Sequence, residues 1–218
     1  MAFFKNLTVS QKDLPDEIPY LDVDGALLLP SGDRPLSIQE PKHMNLIDHA
    51  LQNPNRLIAI IPTHNKKFIT DIGCMGKIKS FIETEDGRYL INIDGICRFH
   101  IDRIYTTKAG IKKVVPIWYE FLDDLEITNQ KITNRSSLNY IASDYFSSLR
   151  KDEKFSLSNL TKIEDAKLIN MLAENLDNTL ERKEKLIKAK NLDEFSEVFL
   201  SYMEVAVAEH ESKDYLKH

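Results

Sequence analysis

Gly76-Lys77 is the first place to look for chemistry, because backbone N–H groups wrap a phosphate when a glycine, four residues and Gly-Lys-Ser/Thr follow in order. Here Asp71 stands where the first glycine belongs and Ile78 where the hydroxyl belongs, so there is no phosphate-cradling loop. His210-Glu211 opens like a zinc-peptidase helix, but the second histidine that would share its face is replaced by Asp214. His43, His49, His64, His100 and His218 show no paired metal spacing, and no metal or cofactor is expected. His43 and His49 read as polar residues on the exposed side of a helix. Cys74 and Cys97 fall in neighbouring strand-like segments. Two buried thiols acting as small hydrophobes are favoured over a redox pair. A nucleophilic cysteine needs a base, and His100 is near only in sequence. The Gly-x-Ser-x-Gly elbow is absent; a Ser–Lys dyad, whose members meet only in space, stays open. No catalytic residue is assigned, and the chain is expected not to be an enzyme.

The charges point the same way. With 34 acidic against 29 basic residues the net charge is −5, a field that repels phosphate backbones, so nucleic acid is not the expected partner. Apolar runs such as Ala26–Leu29 and Ile58–Ile61 are far shorter than the roughly 20 residues a bilayer requires. No signal-like segment follows Phe3-Phe4, since Lys5 and Asn6 interrupt it at once. The expectation is a cytoplasmic protein without membrane contact. A length of 218 residues allows one large domain or two small ones.

The elements that would hold any site can be read from hydrophobic period. From about Ile18 the pattern is β. Leu27–Leu29, bounded by Gly25 and Pro30, reads as a short buried strand, and Leu36 and Ile38 alternate with polar neighbours in a second. Pro41 then suits a first helical turn, and Met44, Ile47 and Leu51 line one helical face as far as Asn53-Pro54. Leu57–Ile61 reads as a strand stopped by Pro62. Two long strands, roughly 72–84 and 88–104, join at Glu85-Asp86-Gly87, where Asp-Gly predicts a type I′ hairpin. Gly73, Gly76 and Gly95 lie inside strand-like sequence, which marks bulges or close backbone approach. A last strand near Lys112–Phe121 carries Val115, Ile117 and Tyr119.

After Asp123-Asp124 the period becomes helical. Leu138, Ile141, Ala142, Tyr145, Phe146 and Leu149 form one stripe, and Ile169, Leu172, Ala173 and Leu176 another. Leu180, Leu186 and Ile187 mark a charged helix whose Lys183, Lys185, Lys188 and Lys190 alternate with Glu181 and Glu184, a solvated face. Asn191 with Glu194 reads as a capping box for a helix bearing Leu192, Phe195, Phe199, Tyr202 and Ala206. The expected class is therefore α+β: a flexible arm over 1–16, a twisted β-barrel-like domain with one embedded helix over 17–122, a helical bundle over 125–210, and a tail over 211–218. The two halves are expected to pack through the Leu138–Leu149 or Leu192–Ala206 stripe.

One ordered set of signals is more specific than any single element. Gly25-Ala-Leu-Leu-Leu-Pro30, Pro35-Leu-Ser-Ile-Gln-Glu-Pro41, Gly73-Cys-Met-Gly76, Asp86-Gly-Arg88 and Gly95-Ile-Cys-Arg-Phe99 together resemble the N-terminal substrate-binding domain of the Lon protease family, and Leu172-Ala-Glu-Asn-Leu176 resembles part of its helical bundle. The resemblance implies a PUA-like pseudobarrel followed by a bundle, as in the standalone bacterial members without ATPase or peptidase domains. It implies recognition of unfolded or peptide-like protein segments, and an adaptor role beside an ATP-dependent protease or chaperone. Two stretches depart from the family pattern. Pro19-Tyr-Leu-Asp-Val23 replaces Pro-Leu-Phe-Pro-Leu, and Gln39-Glu-Pro-Lys-His43 replaces Phe-Glu-Pro-Arg-Tyr.

The expected peptide-binding surface lies at the seam of the β domain with the bundle, near Pro30, Glu40, Met44, Trp118 and Tyr119. Prolines there leave backbone groups without ladder partners, Met44 adapts to varied apolar side chains, and the two aromatics offer area at little entropic cost. Against this stands the reading of Met44 and Trp118 as ordinary core. The competing functional class is a small-molecule sensor or enzyme using the groove between the halves, and the third is an oligomerising module.

Overall fold

β-branched and small residues fill Ile58–Ile61, Ile72–Ile78 and Ile91–Cys97, a composition that suits strands covered on both faces. In the computed structural model, which describes residues 2–3, 9–149, 155–176 and 179–215, these stretches are the inner strands of one mixed sheet. The strands are β1 (Ala2–Phe3), β2 (Ile18–Asp24), β3 (Asp33–Ile38), β4 (Leu57–His64), β5 (Lys67–Phe68), β6 (Ile72–Glu83), β7 (Tyr89–Thr106) and β8 (Lys112–Ile117), with helix α1 (Pro41–Gln52) between β3 and β4.

Sheet order runs β6-β4-β2-β8-β7, and direct β6–β7 pairing closes the ring. β2 and β4 pair in parallel; the other ladders are antiparallel. β3 extends the wall from β7, β1 from β6 and β5 from β4. The result is the expected barrel-like sheet with one embedded helix, though not a regular barrel. α1 plugs the ring with Leu46, Ile47 and Ala50, which meet Leu21, Ile58, Ile60, Cys74, Ile78 and Ile93 in one buried cluster.

Several local expectations change. Leu27–Leu29 is not a strand: the chain leaves the sheet at Asp24, turns on Gly25 (φ 68°), and lays Leu28 and Leu29, both buried, across β7. There Ser31 donates to the Gly95 carbonyl (2.9 Å) and Gly95 donates to that of Gly32 (2.7 Å). Pro62 does not stop β4. The β4–β6 ladder ends at Ile60↔Cys74, so on the edge that Pro62 turns away from β2, where its carbonyl accepts from Ile69 N (3.1 Å), no N–H is needed from it. The β6–β7 hairpin is not type I′: of its turn residues only Gly87 has positive φ (78°), and it donates to Thr84 O (2.9 Å), the longer turn that ends on a left-handed glycine. β8 ends at Ile117, and a 3-10 segment, Tyr119–Asn129, takes over. Within the expected arm, Ala2–Phe3 pairs with Ser80 and Phe81, and Gln11–Asp13 forms a 3-10 turn.

The chain divides into two compact units, Met1–Ile127 and Thr128–His218. The second holds α2 (Arg135–Leu149), α3 (Leu157–Leu160), α4 (Asp165–Asn175), α5 (Leu180–Lys188) and α6 (Leu192–Tyr215). The predicted stripes bury Leu138, Phe146, Ile169, Leu172, Phe195 and Phe199, and Phe155 stacks on Phe146 at 3.5 Å. Arg135 ties α2 to the α3–α4 turn through Asp165 (3.0 Å) and the carbonyls of Leu160 and Ile163 (2.8 and 2.7 Å). Asn191 caps α6 by accepting from Glu194 N (2.9 Å), while the Glu194 carboxylate takes the N–H of Lys190 (2.8 Å) rather than that of the cap residue.

Candidate functional site

Pro41 fixes the start of α1, and Glu40 before it is extended (φ −74°, ψ 127°), so the first turn of the helix projects Glu40, Lys42 and His43 at the rim of the ring. Glu40 is exposed and pairs with Lys42 at 2.7 Å. His43 is not on a solvated face: its imidazole, only 17% exposed, points at Asp22 of β2, 3.6 Å away. Lys112 of β8 donates to the other Asp22 oxygen at 2.7 Å and lies 5.8 Å over the Tyr20 ring. Burial alone would push the Asp22 carboxyl up, but the hydrogen bond and charge of Lys112 hold it below the usual carboxylate range. Asp22 and His43, one from each of the two departing stretches, meet each other. Met44 is half-buried and packs on the ring cluster, which fits a role mainly in packing.

Trp118 and Tyr119 sit at the other end of β8, six residues beyond Lys112, roughly 20 Å along an extended strand. Trp118 is half-buried, meets Phe99 edge-on at 5.4 Å, and donates from Nε1 to Pro15 O at 3.3 Å. Tyr119 is 74% exposed. Pro30 is buried within the crossing segment beside Leu29. The five residues named from sequence thus do not form one patch: Glu40 and Met44 share a helical turn, Trp118 and Tyr119 share a strand end, and Pro30 lies inside.

The 3-10 segment that begins at Tyr119 is held by side chains that hydrophobic period does not reveal. Arg98 of β7, fully buried, donates to Asp124 from its backbone N (2.9 Å), Nε (2.8 Å) and Nη2 (2.6 Å). Its guanidinium lies 4.5 Å over Phe121, and His100 covers a ring face of the same Phe at 5.2 Å. His100 is held between Asp71 (3.1 Å) and Glu120 (2.9 Å). Burial would raise the Asp71 carboxyl, but the His100 contact leaves it lowered. These links pin the 3-10 segment that presents Tyr119. The motif Gly-x-x-Arg-Phe pointed to Arg98; nothing in local periodicity pointed to its acceptor, 26 residues away.

Other titratable groups lie apart. Asp94 faces Asp33 across the β3–β7 ladder, with Lys79 bridging both at 3.2 and 3.3 Å. Burial, and then the neighbouring Asp33 carboxyl, push Asp94 up to about 6, while Asp33, hydrogen-bonded by Asp94, is lowered. Cys74 lies opposite Arg98 and Cys97 opposite Met75, so the register does not pair the thiols with each other. Both are buried, and burial pushes both thiols up, which fits hydrophobes rather than nucleophiles. Among the described residues no cluster of three His, Cys, Asp or Glu side chains could hold a metal ion, and no helix is long and apolar enough to cross a membrane.

Comparison with known proteins adds what the geometry alone does not carry. A family model described as the ATP-dependent protease La (LON) substrate-binding domain matches residues 17–204. The Lon protease of Buchnera aphidicola subsp. Acyrthosiphon pisum (strain APS) is 23% identical over 194 residues, 86% of this chain and 25% of the relative. That of Brevibacillus choshinensis is 23% identical over 197 residues, 86% of this chain and 24% of the relative. The chain thus spans about a quarter of the length of the curated relatives it matches. Among solved structures, a Lon N-terminal domain protein from Xanthomonas campestris superposes with a TM-score of 0.63 at 15% identity, covering 86% of this chain and 98% of that one. The N-terminal domain of the Mycobacterium avium complex Lon protease gives 0.62 at 15% identity with the same coverage. At that identity the likeness shows the fold.

Proposed function

The chain belongs to the LON substrate-binding domain family, and on that premise we propose that it is a non-catalytic module that binds unfolded or exposed apolar protein segments and hands them to a proteolytic or chaperone partner. The family match over residues 17–204 carries this reading. The geometry supports it at one place in particular. Tyr119 is a large aromatic left 74% exposed on a segment that Arg98, Asp124 and His100 anchor from below. A rigid, exposed aromatic binds with little entropic loss. Met44 and Glu40 are proposed as secondary contacts at the rim of the ring, and Trp118 as the packed base of Tyr119.

The test uses a reduced, carboxymethylated protein as client and its native form as control, with binding followed by fluorescence anisotropy. The unfolded client is expected to bind and the native form not. Tyr119→Ala should weaken binding about fivefold, as loss of a modest interface aromatic does, with an unchanged melting temperature. Equal binding of both client forms, or none, would remove the recognition reading. Sustained casein degradation by the repurified chain alone would remove the non-catalytic one.

A further inference from the structure

The helical unit carries a groove of about 720 Å³ between α5 and α6, along a helix whose alternating charges read from sequence as a solvated face. One wall is the stripe Val198, Tyr202 and Val205, spaced one helical turn apart on α6; the other is Arg182 and Lys185 on α5 with Ala189 just past its end. Arg182 differs from its neighbours. It is 9% exposed, its guanidinium lies 3.2 Å over the Tyr202 ring, and its Nη1 has no hydrogen-bond partner.

Among the described residues, the carboxylates that line the groove are engaged elsewhere or screened by solvent. Glu181 pairs with Lys185 at 2.7 Å, Glu184 with Lys188 at 2.6 Å, and Glu194 accepts from Lys190 N. Glu197 sits on the exposed flank of α6, where solvent screens its charge. A buried guanidinium N–H without an acceptor is costly. Arg182 also occupies the first turn of α5, where the helix dipole disfavours a cation and favours an anion. Both costs are relieved by the same ligand, a carboxylate brought between α5 and α6. The apolar wall of α6 adds a second requirement, aliphatic groups flanking that carboxylate.

We propose that the α5–α6 groove binds an extended protein segment through one acidic side chain received by Arg182, with flanking aliphatic residues packed on Val198, Tyr202 and Val205. The proposal rests on the recognition reading above and narrows it to acidic, aliphatic segments.

Two labelled decapeptides test it on the full chain: a leucine- and valine-rich sequence with one central Glu, and the same sequence with Gln, both C-terminally amidated. The Glu peptide is expected to bind about tenfold tighter, in keeping with a charge-assisted, forked contact. Arg182→Lys, which keeps the charge but loses the fork, should cut that ratio to below about threefold. Val205→Asp, at a rim position 58% exposed and so tolerant of change, should weaken the Glu peptide about tenfold with an unchanged melting temperature. Equal affinities for the two peptides, or a Val205→Asp variant that binds as the parent does, overturn the groove. If the unfolded client still binds in that case, the recognition reading survives alone; if neither peptide nor client binds, both fall.

Discussion

At the scale of single residues, the β unit commits two buried charges to one another in Arg98 and Asp124. Two charges taken out of water are held only because the fork and carboxylate match and the backbone N–H of Arg98 adds a third bond. Asp124→Ala leaves that guanidinium buried without its carboxylate and should cost about 3–5 kcal/mol in urea unfolding. A loss below about 1 kcal/mol would show that the pair is dispensable. Asp94 gives the opposite kind of prediction. Its folded value near 6 lies above the ordinary 3.8, so the folded state holds a proton that the unfolded chain has released between those values. The proton-linked stability is complete below about pH 4 and declines as pH rises to about 6. Asp94→Asn removes this slope, so the variant should gain about 1 kcal/mol on the parent between pH 4 and pH 7, a figure discounted for partial exposure. A parent–variant difference that stays constant with pH would contradict the assignment. Neither pair was visible in the sequence. Asp124 read as part of a break between halves, because a partner in another strand leaves no trace in local periodicity.

Elements were far more legible, and where reading failed the reason is physical. The Pro41 helix and the long β6–β7 hairpin are legible, because a proline at the first turn and an Asp-Gly between alternating runs are local signals with local causes. Leu27–Leu29 reads as a strand because a short apolar run does not say what covers it. It is covered by β7 at a place where only glycine fits. A Cβ on Gly95 would lie 2.1 Å from the Leu29 oxygen and 2.9 Å from its carbonyl carbon. Both atoms are backbone, so the whole crossing must move. Gly95→Ala should therefore cost at least 3 kcal/mol by the upper range for overpacking, or prevent folding. Gly87→Ala meets nothing within 4 Å and bears only the strain of a positive φ, about 1 kcal/mol. Melting temperatures of the two variants check the order, and a Gly95→Ala protein as stable as Gly87→Ala would refute the crossing.

For the molecule as a whole, the α+β class follows from a change of hydrophobic period, while the spatial arrangement of the residues proposed for binding does not. Residue type groups Pro30, Glu40, Met44, Trp118 and Tyr119, but the α1 turn of Glu40 and Met44 lies against Asp22 and Lys112 at the start of β8, and Trp118 lies past its end, a separation that only folding reveals. The division of the chain sharpens the same lesson. The β unit runs on to Ile127 because Phe121, Asp124 and Ile127 of the 3-10 segment are buried in it, at 2%, 2% and 3% exposure, and Asp124 completes Arg98. A fragment of residues 1–129 keeps every partner described within that unit and should unfold cooperatively, with dispersed amide signals in an NMR spectrum. A fragment of residues 1–117 ends with β8 intact, yet it strips the cover from Phe99 and leaves Arg98 a buried cation without its carboxylate. Removing those contacts costs several kcal/mol, a large share of the 5–15 kcal/mol that holds a domain folded. The shorter fragment should be molten or insoluble. If it folds as well as the longer one, the 3-10 segment is an appendage, and the rigid platform proposed beneath Tyr119 does not exist.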